Sequence, residues 1–323
     1  MASTHRRNDA GSIDNSGFGA NSNTEGGRLV NKDGTTNLRK TGIPFLDRIS
    51  LYHVLLRLPR YKFLLLVFVF YTVINLFFAC LYVLIGVDKL EGTHQSANFW
   101  EEYMQAFFFS SQTLTTVGYG HVSPTGLLAN ILASIESFAG IMSFALVTGL
   151  FFARFSRPKA HLLFSEKMVL APFKDGNAFM FRVASQRNNH LTDAEAQVTT
   201  AFHVVEDGKR VTRFYQLPLE ISRINSLAMS WTIVHPINEQ SPFYGFSEQD
   251  LRAARIEVMV TIRAFDDHYS NLVQQRSSYT ASEIVYGARF LPAYHRSEDG
   301  TQTVLELDKL NAYEPAPLAT AGV

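Results

Sequence analysis

Apolar residues are distributed very unevenly along this chain. Residues 1–42 carry Asn, Gly, Ser, Thr and charges with almost no apolar periodicity. Such a stretch buries too little surface to offset chain entropy, so a disordered tail is expected there, and it lacks the apolar core of a secretory signal. From Tyr61 to Ile85 the sequence is nearly continuous Leu, Val, Phe, Ile and Tyr, broken by Lys62, Thr72, Asn75 and Cys80. About 20 such residues cross the hydrocarbon of a bilayer, which predicts a spanning helix. A second apolar run extends from Gly126 to about Phe155, with Glu136 as its only acid and small residues, including Gly140 and Thr148, spread along it. Small residues let helices approach closely in lipid, and this second span is expected to line a pore.

Between the two runs, Phe99 to Thr115 reads as a helix too short to cross, followed by Gly-containing backbone. Irregular backbone at membrane depth is tolerated where it is buried in protein or lines a water-filled cavity, as a re-entrant loop does. Before the first run, residues 43–60 mix apolar residues with Asp47, Arg48, Arg57 and Arg60, a pattern suited to an interfacial helix. After Pro158 the pattern changes to short alternating segments separated by turn signals. Strands are expected at 162–170, 178–184, 194–205, 211–217, 227–234, 256–264, 283–294 and 303–307, with hairpin turns at 174–177 and 206–209 and a helix from Glu248 to Arg255 capped by Ser247. So many short strands suggest a β-sandwich.

Composition alone conceals this, because the net charge is zero and the mean hydropathy of the 323 residues is neutral. The placement of charge is more informative. Arg57, Arg60 and Lys62 precede the first span and Arg154, Arg157 and Lys159 follow the second, while the connection carries Asp88, Glu91, Glu101 and Glu102 against Lys89. Positive charge marks the cytoplasmic side, so both termini are expected inside and the connection outside. No helix has the spaced arginines of a voltage sensor. Cys80 is the single cysteine, which excludes an intrachain disulfide.

The chemistry concentrates in the run Thr115-Thr116-Val117-Gly118-Tyr119-Gly120. Consecutive carbonyls can face one axis if the glycines take backbone angles closed to other residues; four copies would then form a queue of oxygen cages able to replace the hydration shell of K⁺, with the Thr116 hydroxyl adding a ring. A Gly-Tyr-Gly turn in a soluble loop is the alternative, and the flanking spans argue against it. Catalytic signatures are missing: there is no GxSxG, Walker loop, HExxH, zinc-type cysteine pair or GxGxxG, and the 10 His are scattered. No enzymatic activity, organic cofactor or nucleic-acid partner is expected, and Asp266-Asp267 reads as a solvated loop. Glu136 is a carboxylate in an apolar span, so a functional position is expected. Two readings stand: it faces the cavity and attracts cations, or it lies behind the carbonyl run as a hydrogen-bond acceptor.

The run 106–113, Ala-Phe-Phe-Phe-Ser-Ser-Gln-Thr, leading into Thr-Thr-Val-Gly-Tyr-Gly, together with Phe-Ala-Arg-Phe-Ser-Arg-Pro at 152–158 and Arg-Ser-Ser-Tyr and Ala-Ser-Glu-Ile at 276–284, resembles the inward-rectifier potassium channel family, prokaryotic branch. The resemblance runs from about residue 43 to 315. It implies a homotetramer with an interfacial slide helix over 43–60, a two-span α-helical pore domain with re-entrant pore helix and filter over 61–157, an all-β immunoglobulin-like cytoplasmic sandwich over 158–312 and a flexible tail over 313–323. It places K⁺ at Thr116, Val117, Gly118 and Tyr119, with Gly120 closing the filter and Gln112, Thr113 and Thr115 supporting it. Gln112 stands where many members have an acid, so a neutral brace would replace an ion pair. Phe152 falls at the gate, Glu136, Gly140, Phe144 and Thr148 along the inner helix or cavity, and 264–271 at a cytoplasmic constriction. Phe144 stands where strong rectifiers carry Asp or Asn, so Mg²⁺ or polyamine block should be weaker there; Ba²⁺ is a further expected blocker. Arg57, Arg60, Lys62, Arg154, Arg157 and Lys159 would attract anionic lipids, phosphoinositides included, at about 1 kcal/mol per charge. A bacterial inner-membrane, voltage-independent channel is implied. The alternatives are a two-span K⁺ channel gated by a small ligand on its cytoplasmic part, and a membrane-anchored domain with a vestigial pore.

Overall fold

The computed structural model describes residues 28–39, 41–42, 51–94, 98–206, 209–253 and 255–319. The chain forms two compact units, one spanning Thr41–Arg157 and the other made of Pro158–Val323 together with residues up to Lys40.

In the first unit, helix α1 (Leu51–Arg57) precedes the outer helix α2 (Arg60–Ile85), the pore helix α3 (Phe99–Leu114) and the inner helix α4 (Gly126–Phe155). Of the helix expected over 43–60, the part Leu51–Arg57 is seen, and residues 43–50 lie outside the described residues. Pro59 separates α1 from α2: its ring leaves no N–H for a continuing helix but suits the start of the next one. The 26 residues of α2 reach about 39 Å, enough to cross a bilayer with some tilt. Asn98 caps α3 by accepting from the N–H of Trp100 at 3.1 Å. Phe78, Ala79 and Tyr82 of α2 pack on Ala106 and Phe109 of α3, with the Tyr82 and Phe109 rings edge-to-face at 5.0 Å. Gly140 permits a close approach of two helices: a Cβ there would stand 2.0 Å from the Leu114 carbonyl oxygen, so the inner helix meets the end of the pore helix backbone to backbone.

The second unit is built on two five-stranded sheets. One contains Leu191–Glu206, Lys209–Gln216, Arg223–Ser226, Glu257–Asp266 and Asn271–Thr280; the other contains Leu162–Phe164, Met168–Phe173, Gly176–Ser185, Trp231–Ile237 and Ile284–Tyr286. Phe179, Phe181 and Ile233 from one sheet, with Val198, Val260, Ile262 and Tyr279 from the other, form a common core, as alternating apolar faces require. Both expected hairpins occur, pairing Phe173 with Gly176 and Glu206 with Lys209. The strand Asn271–Thr280 was not legible: its polar run Gln274–Ser278 masks the alternation that packing imposes. The single strand expected over 283–294 is broken by Gly287 at φ 66° into shorter pieces.

The two expected tails need correction. Residues 28–39 are ordered on the sandwich: Val30 is buried and bridges Thr36, the N–H groups of Leu29 and Val30 donate to the Glu257 carboxylate at 2.7 and 2.9 Å, and Arg28 pairs with Glu283 at 3.1 Å. These polar contacts compensate for the poor apolar content. At the other end Tyr313–Pro315 pairs with Ala288–Phe290 and Ala316 is buried, so order continues past residue 312. Asp266 is likewise not solvated; its carboxylate accepts from the N–H groups of His268 and Tyr269 and from Asn189 Nδ2, which closes the hairpin turn.

Candidate functional site

The pore helix ends where the Gly-containing run begins, and its last carbonyls determine how that run is held. Thr115 N donates to Ser111 O at 3.2 Å, Thr116 N to Thr113 O at 3.1 Å, and Val117 N and Gly118 N both to Gln112 O at 3.0 and 3.4 Å. These N–H groups are thereby turned toward the helix end. Thr116 has φ 59°, Gly118 49° and Gly120 82°, while Val117 and Tyr119 keep negative φ. Residues that alternate in hand undo each other's rotation, so successive carbonyls stay on one side of the strand, opposite the anchored N–H groups. Glycine accepts this cheaply; Thr116 takes it at a cost of about 1–3 kcal/mol. The Thr115 hydroxyl secures the turn by donating to Ser111 O at 2.7 Å. Gln112 therefore holds the run through its backbone carbonyl, and among the described residues its side-chain amide has no hydrogen-bond partner.

Glu136 decides between its two readings: it is fully buried behind the run. Tyr82 Oη donates to Glu136 Oε2 at 2.7 Å, and Ser110 Oγ meets Oε1. Ser110 Oγ also lies 3.0 Å from Asn75 Oδ1, while Asn75 Nδ2 donates to Tyr71 O at 2.7 Å. Tyr71 Oη and Ser111 Oγ, one residue further along the pore helix, make a second tie. Of the two readings for Glu136, the position behind the run is the one the burial supports, and Gly140, one turn on along the inner helix, faces the pore helix as well. Phe144, Thr148 and Phe152 continue onto an uncovered face of the inner helix, Phe144 76% and Phe152 73% exposed. Asn75, Ser110 and Tyr82 were not singled out from sequence as partners of Glu136. The available signal was a polar residue inside each apolar segment, which lipid-buried acids require.

The basic residues separate into different roles. Arg154 directs Nη1 to Leu55 O and Nη2 to Leu58 O, each at 2.6 Å, and lies 4.5 Å from the centre of the Phe63 ring. It caps the end of α1 and is not a free headgroup ligand, a correction to the expected cluster. Arg60, Lys62 and Arg157 are exposed, Lys159 is exposed in the other unit, and the side chain of Arg57 lies outside the described residues.

In the sandwich, His235 is buried between Pro218 O at 2.6 Å from Nδ1 and Ser241 Oγ at 2.8 Å from Nε2. A carbonyl can only accept, so Nδ1 carries the hydrogen and Nε2 accepts from Ser241. Burial holds its pKa below the ordinary histidine value. Lys32, docked 3.6 Å above the Tyr279 ring, is pushed down to about 8, chiefly by burial. Among the described residues no group of His, Cys, Asp and Glu could hold a metal ion.

Residues 162–321 match the model for the inward rectifier potassium channel C-terminal domain, and residues 63–157 match an ion channel model. The chain is 33% identical over 288 residues to the inward rectifier potassium channel Kirbac3.1 of Paramagnetospirillum magnetotacticum, covering 88% of this chain and 95% of that one. It is 32% identical over 302 residues to the G protein-activated inward rectifier potassium channel 2 of Pongo abelii, covering 84% and 69%.

Proposed function

This chain belongs to the inward rectifier potassium channel family, and from that premise we propose that it works as a homotetramer with one central K⁺-selective path. Its K⁺-channel function and membrane location follow from the family; the family is one of channels, not enzymes. The observation that carries the reading is the alternating backbone of Thr116–Gly120, with its N–H groups anchored on Gln112 O. In four copies the carbonyls of Thr116, Val117, Gly118 and Tyr119, and the Thr116 hydroxyls, surround dehydrated K⁺. The C-terminal ends of four pore helices point negative dipole toward the ion entering below them. Both termini lie in the cytoplasm, of a bacterial inner membrane in this reading.

Gating is assigned to the inner-helix face. Four Phe152 rings form an apolar constriction that closes by losing its water. Arg154, two residues on, holds the last carbonyls of α1, so a shift of α1 along the membrane surface pulls the inner helix next to that ring. Anionic lipid headgroups at Arg60, Lys62 and Arg157, with Arg57 and Lys159, supply such a force, and the cytoplasmic sandwich a second one. Mg²⁺ and polyamine block from the cavity is weak because Phe144 offers no charge. Ba²⁺-sensitive rubidium tracer flux from liposomes containing the purified protein tests the reading. Flux should depend on anionic lipid, and that dependence should fall when Arg60, Lys62 and Arg157 are neutralised together; a response equal to wild type removes the lipid assignment.

A further inference from the structure

The cluster around Glu136 can be read for its hydrogens. Asn75 Nδ2 donates to the Tyr71 carbonyl at 2.7 Å, which fixes the amide, because turning it over would set two acceptors against each other. Asn75 Oδ1 therefore faces Ser110 Oγ at 3.0 Å. Two oxygens at that distance need a proton between them, and the Ser110 hydroxyl has one to give. Ser110 Oγ is also in hydrogen-bond contact with Glu136 Oε1, and Tyr82 Oη already donates to Oε2. With the Ser110 proton directed at Asn75, the contact between Ser110 and Glu136 is bridged by a hydrogen from the carboxyl group. An ionised Glu136 would leave one hydroxyl proton to serve two acceptors, with an oxygen–oxygen contact unbridged in a site closed to water. Among the described residues no Lys, Arg or His contacts the carboxyl, and Tyr82 on the outer helix is the titratable group that faces it.

We propose that Glu136 carries its proton and donates it to Ser110, closing a neutral relay from Tyr82 through Glu136, Ser110 and Asn75 to the Tyr71 carbonyl. Ser110 Oγ then accepts from Glu136 and donates to Asn75, while Glu136 Oε2 accepts from Tyr82, so each of these polar groups has a partner. The relay fastens the pore helix to both spanning helices. Gln112, which anchors Val117 and Gly118, stands two residues after Ser110, so Glu136 is a positioning residue for the filter. That filter role rests on the K⁺-channel reading, whereas the proton count does not.

The test is infrared difference spectroscopy of the full-length protein in lipid at neutral pH. Wild type minus Glu136→Gln should show the carbonyl stretch of a protonated carboxylic acid. Wild type against Tyr82→Phe should show the same band moved to higher frequency, because its carbonyl oxygen loses a donor. Bands of an ionised carboxylate in either difference overturn the proposal, and the Tyr82→Phe comparison decides it should Glu136→Gln fail to assemble. In flux assays Glu136→Gln, whose amide can donate to Ser110 and accept from Tyr82, should keep wild-type K⁺ over Na⁺ preference, and Glu136→Ala should lose it; loss in both removes the positioning role. A protein that shows the acid band but conducts no K⁺ would sink the channel reading and leave the proton count standing.

Discussion

The two units bury polar groups in opposite ways. In the pore unit, Asn75, Ser110 and Glu136 are fully buried and bond to one another or to Tyr82 across three helices, with sequence separations of 26 between Ser110 and Glu136 and 54 between Tyr82 and Glu136. In the sandwich, buried polar side chains mostly serve backbone: Glu257 takes the N–H groups of Leu29 and Val30, Asp266 those of its own turn, and His235 the Pro218 carbonyl. Backbone in the membrane helices is already paired within each helix, so side chains there are free to fix helix against helix. The sandwich must satisfy strand ends and turns, and it spends its buried polar groups there. Polar changes in the pore unit should therefore disturb ion selection, and those in the sandwich should disturb stability.

Gly140→Ala should have the largest effect. The new Cβ would stand 2.0 Å from Leu114 O, an overlap that backbone cannot relieve cheaply, and its cost should exceed about 3 kcal/mol. Recovery of assembled protein from detergent should collapse; recovery equal to wild type would show that the inner and pore helices do not meet as described. Ser110→Ala should be milder. It leaves Asn75 Oδ1 without its donor and Glu136 without its pore-helix partner, at about 1–3 kcal/mol per group. Assembly should survive and Na⁺ leak should rise, measured as competing tracer uptake, while melting of the sandwich stays put. A melting shift with selectivity intact would erase the distinction between the units.

The smallest effect should come from pH. His235 keeps a folded-state pKa below its unfolded value of about 6.5, so as pH falls the unfolded chain takes up a proton that the folded domain refuses. Its contribution is fully present above that pH and is lost below it. Thermal melting of the sandwich, followed at the buried Trp231 in a Trp100→Phe background, should drop as pH falls below about 6.5 and drop less in His235→Gln. Equal slopes in the two proteins would contradict the assignment.

Much of this could be read from residues alone, and the failures have a common cause. The spans, the short pore helix and the Gly-containing run are local signals: apolar length, a helical stretch too short to cross, and glycines where left-handed backbone is needed. What escaped was set by distant partners. Arg154 looked like a lipid ligand until the carbonyls of Leu55 and Leu58 came beside it, and residues 28–39 looked disordered because Glu257 and Glu283, which hold them, lie more than two hundred positions away. Glu136 was recognisable as an acid needing a partner, but composition does not say on which helix face the partner waits.

The central claim is that Thr116–Gly120 selects K⁺, and a reversal potential tests it most directly. Purified protein in planar bilayers under opposed K⁺ and Na⁺ gradients should pass current that reverses close to the K⁺ equilibrium potential. Current reversing near zero, or at the Na⁺ potential, would contradict the account.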